Sequence, residues 1–275
     1  MLGCGNQLVR SLYSSGSLGQ KGVLTGWTPA PHRLMAFCHG LLEYTSLLRD
    51  RVSFPRGGRS VVYVRPWHCQ KAGVGALMTL QLRFAEPKDA EQIRDIYAPI
   101  VEHTATSFES SPPTVDEVRR RISTTLNDLP WLVAEEEGRV AGYSYAGRFR
   151  DRPAYLWTVE ASVYVQAEYR RRGVAAALYT AMFECLRLQG FYHVIAVITL
   201  PNAASVGLHE KLGFRPVGVF RSAGFKLGQW RDVAWYQCPL RPPAPNPEPP
   251  VPRSSVAPAK YRDVLSHAAA IIGRG

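Results

Sequence analysis

Long apolar runs are missing from this sequence. The longest nearly unbroken stretch, HVIAVITL (His193 to Leu200), falls far short of the roughly 20 residues that span a bilayer, so neither a transmembrane helix nor a membrane partner is expected. Paired cysteine is missing too. The five cysteines (Cys4, Cys38, Cys69, Cys185, Cys238) are odd in number, scattered and never spaced C-x-x-C. That excludes a disulfide framework and a zinc site, and fits a reducing compartment such as the cytoplasm. Acidic residues are absent from Met1 to Leu42, where Arg, Ser and Gly recur. This is the make-up of an organelle transit peptide, which would place the protein in an organelle matrix. The rival reading is that residues 1–77 are leader sequence ahead of a domain that starts at Met78.

What is present describes a globular chain. Its 275 residues, 46% hydrophobic and 20% charged, exclude a collagenous, coiled-coil or wholly disordered protein. A net charge of +11 invites a nucleic-acid partner, but the excess is not spread evenly. Residues 1–77 hold 9 Lys+Arg against 2 Asp+Glu, residues 78–240 hold 19 against 18, and residues 241–275 hold 5 against 2. The middle segment is almost neutral, so no nucleic-acid partner is expected for it. After Leu240, RPPAPNPEPPVP lacks amide donors at most positions and reads as an extended tail, with a short helix possible over YRDVLSHAAAII.

Residues 78–240 read as one alternating α/β domain. LQLRFA alternates as a strand, and Ala90, Ile93, Ile96, Tyr97 and Ile100 follow at helical spacing. Thr114 and Glu117 form a capping box before Val118, Ile122 and Leu126. WLVAEE and VAGYSYAG flank a turn at Gly138, and the strand YLWTVEASVYV follows. The helix from Val174 ends at Gly190. HVIAVITL is a strand, NAASVGLHEKLG a short helix, and VGVFRSAGF with WRDVAWYQC a closing hairpin. The order βααβββαβαββ predicts a mixed sheet with helices on both faces.

The sharpest local feature is Arg170-Arg171-Arg172-Gly173-Val174-Ala175, between a strand and a long helix. A turn here exposes unpaired amides at a helix N-terminus, where a pyrophosphate can sit, and Gly173 lets it approach closely. Alone, such a string also fits a basic helix cap. In its setting, TVEASVYV before it and VIAVITLPN with NAASVGLHEKLGF after it, it resembles the acetyl-CoA-binding core of the GNAT superfamily of N-acetyltransferases. AYLWTVEASVYV, VITLPNAASVGLHEKLGF and RSAGFKLGQWRDVAWYQ are most similar to its phosphinothricin N-acetyltransferase branch. The likeness covers residues 78–240 and not the flanks.

The resemblance implies acetyl-CoA as co-substrate, a small amino-acid-like amine as acceptor, a homodimer and no metal. It puts the catalytic base at Glu160, which interrupts the apolar alternation of its strand; a charge at a strand edge is the plainer reading. Amines are mostly protonated at neutral pH, so a base is required. The cofactor would lie beside Val163, Tyr164 and Val165, with an amide of Val163 or Val165 facing the oxyanion. Arg171, Arg172, Gly173, Val174, Ala175 and Ala176 would hold the pyrophosphate. Asn202 would bind the pantetheine, or simply cap a helix. His209 stands where many relatives have a Tyr that protonates the departing thiolate, and is either that acid or structural. Arg150, Arg152 and Tyr155 match substrate-pocket positions, suited to carboxylate or phosphinate oxygens, as does Phe108. Glu109 departs from the branch, where Arg is usual, which weakens phosphinothricin as sole substrate. Cys185 lies on an apolar stripe, so direct transfer is preferred over an acetyl-cysteine. Acetylation of protein amines and a non-catalytic acyl-CoA-binding role are the alternatives.

Overall fold

The computed structural model describes residues 80–272; the expected leader over 1–77 lies outside the described residues. The chain runs β1 (Gln81–Phe84), α1 (Ala90–His103), α2 (Val115–Asp128), β2 (Trp131–Glu136), β3 (Arg139–Arg148), β4 (Thr158–Val165), α3 (Val174–Gln189), β5 (His193–Leu200), α4 (Ala203–Lys211), β6 (Arg215–Lys226), β7 (Gln229–Pro239) and α5 (Pro258–Ala269). Up to β7 this is the order the periodicity predicts. The seven strands form one sheet in the order β1-β2-β3-β4-β5-β7-β6. β4 and β5 are parallel, and every other pair is antiparallel.

Local chemistry sets the element boundaries. Glu137 (φ 51°) and Gly138 (φ 80°) both occupy the left-handed region, as a tight two-residue hairpin requires. Thr114 caps α2 by accepting the Glu117 amide at 3.1 Å. The reciprocal half of the expected capping box is diverted: the Glu117 carboxylate takes Arg120 and Arg121 at 2.8 Å. Two cationic donors one turn along the helix outcompete a single neutral amide.

The sheet separates two apolar layers. Val159 and Ala161 of β4 bury with Val174, Ala177, Leu178 and Met182 of α3 on one side. On the other, Trp131, Val133 and Tyr143 bury with Ile93, Ile96 and Ile122 of α1 and α2. Because side chains alternate along a strand, Glu160, Ser162 and Tyr164 share the α1/α2 side.

The Pro-rich stretch is extended, as its composition dictates, but stays on the domain. The Trp157 indole donates to Glu248 O at 2.8 Å, and Val251 N donates to Gln189 O at 2.8 Å. Gln189 Nε2 returns a bond to Val251 O at 3.0 Å, and Arg253 Nε donates to Leu126 O at 2.9 Å. α5 then packs on α3 and β1, burying Tyr261, Leu265 and Ala268. Among the described residues no helix is long and apolar enough to cross a membrane.

Candidate active site

β4 and β5 pair over only three positions, Thr158 with His193, Val159 with Val194 and Glu160 with Ile195. Beyond them β4 stays with β3 as far as Val165, and β5 stays with β7 as far as Leu200. The two central strands therefore part after Glu160, and the sheet opens into a V-shaped cleft.

Strand parity says which groups face that cleft. Gln166 N donates to Ala141 O on β3, so even-numbered residues of β4 bond across to β3. The N–H and C=O groups of Ala161, Val163 and Val165 then point into the gap. Consistent with this, Ala161 O lies 3.2 Å from the Tyr179 hydroxyl, and Val165 O lies 3.4 Å from Arg170 Nε. The Val163 and Val165 amides are thus placed as donors. Tyr164 turns its ring to Tyr97 and Tyr143, at centroid distances of 5.1 and 5.3 Å, on the α1 side.

At the mouth of the cleft, α3 begins at Gly173, whose φ is 83°, with Arg171 also left-handed at 59°. Among the described residues no amide from Arg171 to Ala176 donates a hydrogen bond. These are the orphan donors of a helix start, aimed where the dipole favours an anion. Arg172 lies over the Tyr169 ring at 4.9 Å. Across the cleft Asn202 caps α4, its Oδ1 accepting Ser205 N at 3.1 Å, which leaves its amide nitrogen as a donor.

Glu160 sits where the strands part, half-buried. Burial pushes its carboxyl up from the ordinary value, and the Arg150 guanidinium partly opposes this. Directly across on β3 is Gly147, and a Cβ built there meets nothing within 4 Å. That open space lets an amine reach the carboxylate from the α1/α2 face while the cleft is entered at its own edge. Arg150 lies 5.0 Å over Phe149 and 5.5 Å over Trp235.

His209 is placed differently from an acid facing the cleft. It is 4% exposed, with Nδ1 2.7 Å from Ser205 O and Nε2 3.1 Å from the Tyr179 hydroxyl. A carbonyl can only accept, so Nδ1 carries the proton, and the Tyr179 hydroxyl shares its one proton between Nε2 and Ala161 O. Burial lowers the His209 pKa, only partly offset by the Ser205 bond, which keeps the ring neutral.

The expected substrate residues are divided. Phe108 packs its ring on Gly224, where a Cβ would come within 2.2 Å of the ring, and Lys226 Nζ donates to Val101 O at 2.7 Å and Ser107 O at 2.6 Å. The β6–β7 tip is thereby sewn to the α1–α2 loop. Glu109 is held by Arg121 at 2.8 Å and the Tyr97 hydroxyl at 3.2 Å, so its charge is answered within the fold. Arg150, Arg152 and Tyr155 together line a cavity of about 190 Å³ with Val159, Phe191 and Pro250, and the Arg150 guanidinium also acts on the Glu160 carboxylate. Glu160 is not among the residues that line it.

Sequence reading missed Gly147, Tyr179 and Trp235, each of which matters only through a partner on another strand or helix. Of the two cysteines among the described residues, burial pushes Cys185 up to about 12 and also raises Cys238, which disfavours either as a thiolate nucleophile. No group of three His, Cys, Asp or Glu side chains forms a metal cage among the described residues.

The profile of the Acetyltransferase (GNAT) domain matches residues 82–235, more than half of the chain. The chain belongs to the GNAT acetyltransferases. This GNAT chain is 42% identical over 166 residues to a phosphinothricin N-acetyltransferase of Streptomyces viridochromogenes, covering 60% of this chain and 91% of that one. It is 34% identical over 164 residues to an L-methionine sulfoximine/L-methionine sulfone acetyltransferase of Salmonella typhimurium, covering 58% and 95%. A solved GNAT phosphinothricin acetyltransferase from Sinorhizobium meliloti, in complex with acetyl-CoA, superposes with a TM-score of 0.60 at 38% identity, covering 66% of this chain and 97% of that one.

Proposed function

We propose that this GNAT enzyme acetylates the amine of a small amino-acid-like substrate, of the phosphinothricin or methionine sulfoximine type, by direct transfer from acetyl-CoA. The observation that carries the reading is Glu160 at the parting of β4 and β5, with open space over Gly147 on the substrate side and free amides on the cleft side. The solved relative that holds acetyl-CoA supports the choice of cofactor. Arg171 to Ala176 bind the pyrophosphate through main-chain amides, and Asn202 meets the pantetheine arm. Val163, Tyr164 and Val165 form the cleft wall.

Glu160 takes a proton from the substrate ammonium, directly or through a water. The freed nitrogen attacks the thioester carbon, forming the C–N bond, and the oxyanion receives an amide of Val163 or Val165. Such a donor lowers the barrier by about 2.7 to 4 kcal/mol. The C–S bond then breaks, and the second proton shed by the nitrogen is available to the departing thiolate. For His209 we propose a positioning role: it accepts the Tyr179 hydroxyl and fixes α4 against α3 beside the cleft.

Arg150 pairs with the substrate's anionic group, while Phe108 and the hairpin tip close the pocket. Tyr155 supports Arg150 through the Phe149–Tyr155 contact at 5.5 Å, and Arg152 lines the adjoining cavity with both. The stitch of Lys226 ties the hairpin tip to α1 and the α1–α2 loop, which favours a small acceptor over a protein. A second copy is expected on the outer hairpin, where edge strand β6 leaves Val217, Phe220 and Phe225 exposed.

The test is thiol release by the full chain with acetyl-CoA against phosphinothricin, methionine sulfoximine, ordinary amino acids and short peptides. Turnover is expected on amino-acid-like members, and turnover on peptides alone would overturn the reading.

A further inference from the structure

We propose that the turn closing α5 is a positioning element for the cofactor's phosphates: Ile271 and Ile272 back the Arg171–Ala176 turn and hold it in its receptive shape. This rests on the acetyl-CoA reading of that turn. A Cβ at Gly173 would lie 3.1 Å from Ile271 O and 3.5 Å from Ile272 Cα, so main chain lies directly against the turn. The turn needs such backing. Beside the left-handed Gly173 it places Arg171, a residue with a side chain, in the left-handed region, and a strained conformation of this kind persists only where its surroundings over-determine it.

The backing is itself anchored. Ile271 and Ile272 pack against the core layer that holds Leu265 and Ala268 of α5 together with Val174, Ala177 and Leu178 of α3. At the other end of α3, a Cβ on Gly190 would lie 3.4 Å from Pro250 Cα, and Val251 exchanges two hydrogen bonds with Gln189. The segment after β7 therefore grips α3 at both of its terminal glycines. It approaches Gly173 without taking up an amide of the turn, so the donors stay open to an anion. The family profile ends at residue 235, before this grip begins.

A chain ending at Ala270 tests the proposal, with CoA affinity measured by calorimetry and KM determined for acetyl-CoA and for the amine. CoA Kd and acetyl-CoA KM should each rise about fivefold, within the range over which remote contacts modulate a site. Amine KM and kcat at saturating cofactor should hold within about twofold. Val256→Ala, in the small cluster with Cys185 and Tyr261 away from the turn, controls for stability: it should lower Tm and leave CoA affinity alone. Ile272→Ala offers the same readouts should the shortened chain fail to fold. Unchanged CoA affinity in the shortened chain, or in Ile272→Ala where that variant replaces it, overturns the proposal, as does an equal loss in Val256→Ala. If the full chain itself binds no CoA, the acetyl-CoA reading fails instead.

Discussion

Glu160 works at a cost to the fold. Its carboxyl is raised by burial, so the native state binds its proton more tightly than the unfolded chain does. A group raised in this way favours the native state below the unfolded pKa and loses that contribution as pH rises through the folded value. Glu160→Gln should therefore unfold no earlier than the parent at neutral pH, with the two Tm values converging on acidification. Its kcat should fall about 10²- to 10⁴-fold, the usual worth of a positioned base. Undiminished turnover would remove Glu160 as the base. Gly147→Val should also lose activity, because a branched side chain beside the carboxylate fills the open space, although φ there is ordinary. A variant with the parent's amine KM and kcat would show that substrate does not pass over Gly147. His209→Gln breaks the Ser205 and Tyr179 bonds in a buried setting and should cost about 1 to 3 kcal/mol of stability. Its kcat should stay within about tenfold; collapse of kcat at parental stability would make His209 the proton donor after all.

At the scale of elements, Leu265→Ala in α5 should cost about 2 to 5 kcal/mol in denaturant unfolding, since Leu265 lies in the main core layer. A cost below about 1 kcal/mol would mean that α5 rests on the domain without contributing to it. How much of this organisation the sequence reveals depends on how local its cause is. The hairpin at Gly138, the helix stop at Gly190 and the turn before α3 at Gly173 are legible because a few adjacent residues impose φ > 0. The cleft is not, because the parting of β4 from β5 depends on which neighbour each strand keeps. Gly147 was invisible for the same reason: its meaning comes from standing opposite Glu160. The proline-rich stretch shows in its composition that it must be extended, but not that Gln189 and Trp157 will hold it to the domain. Arg150, Arg152 and Tyr155 share a loop and a cavity, yet nothing in their spacing shows that the Arg150 guanidinium also acts on Glu160.

For the molecule as a whole, the charge of +11 shrinks further on inspection. Arg241 lies 3.9 Å over the Tyr192 ring, and Arg253 bonds Leu126 O while stacking on Phe84 at 4.9 Å. These two cations of the C-terminal segment serve packing and form no basic patch. The proposed second copy would be held by apolar surface instead. The proposed dimer predicts that light scattering gives a dimer mass for the parent and a monomer mass for Val217→Glu, on an exposed site of the edge strand; a monomeric parent would overturn the dimer, and a dimeric variant would place the contact elsewhere. The stacking of Arg150 over Trp235 also gives the enzyme an optical gauge. An anion that draws the guanidinium off the indole changes the field on that ring, so intrinsic emission should report amine-site occupancy without a label. Trp131, buried in the α1/α2 layer and stacked on Tyr145 at 4.5 Å, contributes emission that does not depend on that contact.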